Sequence, residues 1–204
     1  MEVKLDNMLL DPIFIIKTLG MIGIILIVFA ETGLFFGFFF PGDSLLFTAG
    51  IFASQGFYNI EILLIGCIIA AILGDSVGYW SGKKYGRKLF DRDSGFFFKR
   101  KRLYDAEIFY EKHGKSTLII ARFVPIVRTF APIVAGIGNM KYSYFVSYNI
   151  FGGIFWVSLV LLSGYFFGNI VPNPDKYIIP IALLFIVISF SPIVFKMLHH
   201  KKVK

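Results

Sequence analysis

The chain has 204 residues, 56% of them hydrophobic and 17% charged, with 25 Phe, one Cys and three His. Soluble domains run near 45–50% apolar and about 25% charged, so this composition excludes a disordered chain, a disulfide scaffold and an ordinary water-soluble enzyme. The net charge of +8 is unevenly spread, with eleven of the 21 basic residues between Lys83 and Lys115 and four between Lys196 and Lys204. Basic clusters beside apolar runs mark cytoplasmic loops that face anionic headgroups. No basic stripe interleaves with aromatics as it does on a nucleic-acid-binding surface, so nucleic acid is not an expected partner.

The first apolar run covers residues 13–30. The stretch before it carries Glu2, Asp6 and Asp11 against Lys4. With no positive n-region, the run reads as a retained transmembrane helix rather than a signal peptide. Residues 31–56 are also apolar, yet Pro41-Gly42 breaks them in the middle. Each arm around that break is too short, at about 15 Å of helix, to cross a core of about 30 Å. A re-entrant hairpin that turns inside the membrane is therefore expected, provided other protein covers its broken backbone. Residues 61–82 form a second transmembrane helix, in which the lone Cys67 reads as an inert core residue.

Residues 83–115 form the basic cytoplasmic loop. Within it, Leu103–His113 has the pattern of a short amphipathic surface helix that stops at Gly114. Residues 116–140 are apolar but interrupted by Pro125 and Pro132, which makes a second re-entrant hairpin. Transmembrane helices at 142–168 and 177–197 follow, the last bent by Pro180 and Pro192. The expected fold is thus all-α, a single polytopic membrane domain with about four transmembrane helices and two re-entrant hairpins.

An internal repeat supports this layout. Ala49-Gly50 recurs as Ala135-Gly136, and Gly78-Tyr79-x-x-Gly82 recurs as Gly164-Tyr165-x-x-Gly168. Gly66 and Gly152 share the same offset. If each hairpin returns to its own side, only residues 61–82 cross between the two. The hairpins then enter from opposite faces, which is the inverted repeat of alternating-access transporters. Placing the 83–115 loop inside puts both termini in the cytoplasm.

Glu31, Asp43, Asp75, Arg122 and Arg128 all fall within apolar segments. A lone charge at mid-bilayer costs at least ~2.5–3.5 kcal/mol, so none of these residues is expected to face lipid. If both hairpin tips reach the midplane, acids from the first meet arginines from the second. Burial and a neighbouring cation push a carboxyl's proton affinity in opposite directions, so an acid held between the two can exchange protons. Arginine stays charged and offers a planar fork for phosphate. Arg122 and Arg128 are therefore candidate phosphate-binding residues, Glu31 and Asp43 candidate proton-coupling residues, and Asp75 a further candidate. The same five residues also suit a structural role, as ion pairs that hold the hairpins together. Asp75 lies among Gly74, Gly78 and Gly82, a stripe suited to close helix packing.

These motifs resemble the DedA family, also known for the VTT or SNARE-associated domain. The resemblance rests on Glu31 and Asp43 in Pro-Gly-Asp, on Gly74-Asp75-x-x-Gly78-Tyr79-x-x-Gly82, and on Phe109-Tyr-Glu-Lys-His-Gly114. It also rests on Arg122-Phe-Val-Pro-x-x-Arg128-Thr-x-x-Pro132 with Ala135-Gly136, and it spans roughly residues 25–170. The Phe-rich Phe38-Phe39-Phe40 before Pro41 departs from the family pattern, where relatives often carry a second proline. The resemblance implies lipid translocation dependent on the proton motive force in an inner or plasma membrane. The lipid implied is undecaprenyl phosphate, or alternatively phosphatidylethanolamine moved by flipping or scrambling. It also implies that Glu31, Asp43, Arg122 and Arg128 are essential.

Two other classes compete with this reading. A proton or cation antiporter would use the same acids but has no need of two arginines. A membrane lipid phosphatase would need a His nucleophile or clustered metal ligands, and no His lies in an apolar segment. The expected protein is therefore not an enzyme and needs no metal or other cofactor. Its partners are the bilayer, a lipid and protons, with homo-oligomerisation left open.

Overall fold

In lipid, backbone N–H and C=O groups have no water to bond, so apolar runs of this length form helices. The computed structural model describes residues 12–34, 42–86, 122, 125–172, 176–177 and 180–181, with backbone alone at 12–18 and 125–126. The described residues are all-helical and contain no strand. In chain order the helices are α1 (Pro12–Gly33), α2 (Gly42–Ser54), α3 (Ile60–Ser81), α4 (Pro125–Ile137) and α5 (Tyr142–Ile170), with a π-helical turn at Gly82–Gly86 continuing α3. Most of the last expected span, most of the 83–115 loop with its expected helix at Leu103–His113, and most of the first arm of each expected hairpin lie outside the described residues.

Two helical stretches, Ile60–Gly86 and Tyr142–Ile170, are long and apolar enough to cross a bilayer. By contrast, α2 and α4 have 13 residues each. At 1.5 Å per residue they reach about 20 Å, short of a core about 30 Å thick. α2 opens at Gly42, next in sequence after Pro41, and Pro125 is the first residue of α4, where its missing N–H costs no intrahelical bond. α1 runs three residues past Ala30 and so carries Glu31 in its last turn. It is interrupted at Gly20, whose positive φ of 60° is one that L side chains rarely adopt. Asn59 starts α3 by accepting the N–H groups of Glu61 and Ile62 at 2.9 and 3.1 Å.

The outward surface is apolar, unlike that of a soluble protein. The outward stripe of α3 is Ile62, Ile65, Ile69, Leu73, Val77 and Trp80, and that of α5 includes Phe151, Phe155, Leu159 and Phe166. The interior, beside its apolar core, holds Glu31, Asp75, Arg122, Arg128 and Asn149. Apolar stripes of this extent would drive aggregation in water but are at home against acyl chains.

The packing follows the sequence repeat. α2 lies on α5, where Gly50 abuts the backbone of Leu161–Tyr165 and Gly164 abuts the backbone of Phe47. α4 lies on α3, where Gly136 abuts the backbone of Tyr79 and Lys83, and Gly82 abuts that of Ile133. Each half's short helix therefore packs on the long helix of the other half, with Gly50 and Gly136 in equivalent positions of the repeat. α1 crosses α3 in the same manner, with Gly33 against Gly74.

Gly164→Val should therefore prise α2 from α5 and lower stability by about 1–3 kcal/mol, the usual cost of overpacking. Ile69→Ala on the outward face should be nearly neutral. Thermal unfolding of the purified protein in detergent separates the two, and equal effects would contradict the packing described.

Candidate functional site

Glycines at the helix crossings let the five helices approach closely enough to enclose a charged cluster. Arg128, in the first turn of α4, is bonded through Nη2 to Glu31 of α1 and through Nη1 to Asp43 Oδ1 of α2, the latter at 2.8 Å. The first site therefore joins acids from the first half of the chain to an arginine from the second. A Cβ at Gly42 would overlap the Glu31 carboxylate and displace it from Arg128.

α5 forms the third wall. The Trp156 ring covers one face of the Arg128 guanidinium, with Cζ 4.3 Å from the ring centroid. Its Nε1–H donates to Asp43 Oδ1 at 2.9 Å. Asp43, Arg128 and Trp156 thus close a triangle of contacts.

Arg122 lies just before α4 and is held separately. Its Nη2 donates to Asp75 of α3 and to Asn149 Oδ1 of α5. The Asn149 side chain is itself fixed, because Nδ2 donates to the Ile72 carbonyl at 2.9 Å. Gly153, one turn beyond Asn149, passes beside the guanidinium, and a Cβ there would press on Ile72 Cγ1 at 3.1 Å while meeting Nη1 and Nη2 at an ordinary 3.6 Å.

Between the two arginines is a cavity of about 10 Å³ lined by Asp75, Arg122, Arg128, Phe145 and Asn149 among others, about the space of one water. Four buried atoms of the cluster lack hydrogen-bond partners among the described residues: Glu31 Oε2, Asp75 Oδ1, Arg122 Nη1 and Arg128 Nε. Buried polar groups are normally satisfied, so this cluster retains unused bonding capacity of both signs. It holds three carboxyls against two guanidiniums, and the side chains of Glu31, Asp75, Arg122 and Arg128 are at most 4% exposed. Asp43 is the open member at 17%.

All five charged candidates are therefore gathered, in two adjoining groups. Arg128 binds the expected acids Glu31 and Asp43, whereas Arg122 pairs with Asp75. Asn149 and Trp156 were not among the candidates from sequence. The available signals were an amide inside an otherwise apolar span and a tryptophan far from the span ends, where tryptophans usually gather.

Comparison with known proteins gives a VTT domain over residues 40–166. The chain is 47% identical over 179 residues to the protein DedA of Escherichia coli K12, covering 87% of this chain and 81% of the relative. It is 39% identical over 189 residues to an uncharacterised membrane protein of Mycobacterium leprae, covering 90% and 84%. It is 31% identical over 153 residues to the inner membrane protein YqjA of E. coli K12, covering 74% and 70%. No solved structure matches the chain.

Removing one partner of a buried ion pair strands the other charge, at a cost of about 3–5 kcal/mol. Asp75→Ala alone should lose that much stability, and adding Arg122→Leu should recover most of it. Unfolding of both variants in detergent measures the coupling, and simply additive losses would contradict a paired Arg122.

Proposed function

We propose that this chain, which belongs to the DedA family of VTT-domain membrane proteins, is a flippase that moves an anionic phosphorylated lipid between leaflets, and that it is not an enzyme. Undecaprenyl phosphate is the substrate this reading favours. The supporting observation is the pair of buried guanidiniums, each held by acids and each keeping an unpartnered N–H. Acids inside the site serve as counter-charges while it is empty. A phosphate then takes their place on the arginines, and the lipid tail stays among acyl chains.

Protons enter this scheme through charge balance. With three carboxyls and two guanidiniums in the cluster, one proton brings it to neutrality, and an incoming phosphate calls for more. Protonation of Glu31 and Asp43 releases Arg128 and couples lipid movement to the proton gradient. Asp75 performs the corresponding service for Arg122.

The short helices α2 and α4 are the inner arms of two re-entrant hairpins entering from opposite faces of a single membrane domain. Their cross-packing on α5 and α3 supports such an inverted pair. Rocking of one half against the other exposes the cluster first to the outer and then to the inner leaflet. Both termini lie in the cytoplasm, and the membrane is the inner or plasma membrane.

Arg122→Lys and Arg128→Lys keep the charge but lose the planar fork. In proteoliposomes each should abolish flipping of undecaprenyl phosphate while the protein remains folded. Wild-type flipping rates in both variants would overturn the proposed clamp.

A further inference from the structure

Asp43 Oδ1 occupies a position that suits an oxygen anion well. Arg128 Nη1 and Trp156 Nε1 converge on it at 2.8 and 2.9 Å, both ordinary hydrogen-bond lengths. The position lies beside the N-terminal turn of α2, where the helix dipole favours negative charge. Its occupant is the most exposed carboxylate of the three in the ion pairs, at 17% against 3–4% for Glu31 and Asp75. A ligand arriving at the cluster therefore meets Asp43 first. Trp156 is only 1% exposed, and its ring keeps the guanidinium plane fixed from one face. When Asp43 leaves, two oriented N–H donors remain aimed at one vacated point.

We infer that Asp43 is an internal stand-in for the ligand, and that Trp156 is a ligand-binding residue whose indole N–H joins Arg128 in holding an oxygen of a phosphomonoester. The inference rests on the phosphate reading of the arginines and extends it to a neutral donor on α5. An arginine pair alone grips any anion by charge, whereas the indole N–H adds a direction to the grip. Trp156 serves two functions in this site. It supplies the apolar face that orients Arg128 at all times, and it supplies a hydrogen bond that passes from Asp43 to the ligand.

The test is equilibrium binding by the purified protein in detergent, with two probes: inorganic phosphate and dioctanoyl phosphatidic acid. Trp156→Phe keeps a ring over Arg128 and removes only the N–H. It should weaken phosphatidic acid binding by about tenfold or more, as expected for losing a hydrogen bond to a charged group, with an unchanged unfolding temperature. Asp43→Ala vacates the position and should tighten binding. Trp156 and Trp80 are the two tryptophans of the chain, so Trp80→Phe leaves Trp156 as sole reporter, and its emission should change as probe is added.

Equal losses in Trp156→Phe for both probes assign recognition to the phosphate group itself, and a loss confined to phosphatidic acid assigns it to a lipid headgroup. Either result supports the inference. Wild-type affinity in Trp156→Phe, alongside lost binding in Arg128→Lys, overturns the role of Trp156 and leaves the arginine clamp standing. A wild-type protein that binds neither probe overturns both.

Discussion

A guanidinium enclosed among membrane helices must be paired, and the rest of this structure follows from that constraint. Arg128 cannot be left alone in a medium of low dielectric, and its partners come from three other helices: Glu31 from α1, Asp43 from α2 and Trp156 from α5. These contacts fix where α1 ends, where α2 begins and how far α5 stands from both. Arg122 imposes a second requirement of the same kind on α3 and α5 through Asp75 and Asn149. Such pairs add little net stability compared with apolar packing. What they provide is a defined arrangement with charge held ready for exchange.

Helices that enclose such a cluster must lie close together, which accounts for the glycines. Gly50 and Gly164 on one side of the molecule, and Gly82 and Gly136 on the other, bring backbones into direct contact. Because each short helix packs on the long helix of the opposite half, the two halves are interlocked. The site sits where they meet. Acids come from the first half, Arg122, Arg128, Asn149 and Trp156 from the second, so a shift of one half relative to the other would alter the pairing.

Much of this was legible in the sequence because membrane insertion imposes strong rules. Pro41 and Pro125 pointed to helix starts at α2 and α4, and charges inside apolar runs pointed to the cluster. Legibility ended where chemistry became uncharged and tertiary. Asn149 and Trp156 carry no charge, and their significance depends on which atoms face them across helix crossings. Likewise, the division of partners, with Arg128 to Glu31 and Asp43 but Arg122 to Asp75, depends on side-chain geometry that spacing along the chain does not encode. Hydropathy falls at Glu31, which closes the 13–30 run read from the sequence. The helix nonetheless continues to Gly33, where its glycine meets Gly74.

The central claim, that these arginines hold the phosphate of a lipid inside the membrane domain, is tested most directly by distance. Solid-state NMR on protein with ¹⁵N-labelled arginine, reconstituted with undecaprenyl phosphate, reads the dipolar coupling between guanidinium nitrogens and phosphorus. Phosphate held by Arg128 gives that residue a coupling corresponding to about 4 Å or less for a charge-assisted contact, which vanishes when Arg128 is replaced. Phosphorus coupled only to arginines of the basic loop, with Arg128 silent, would contradict it.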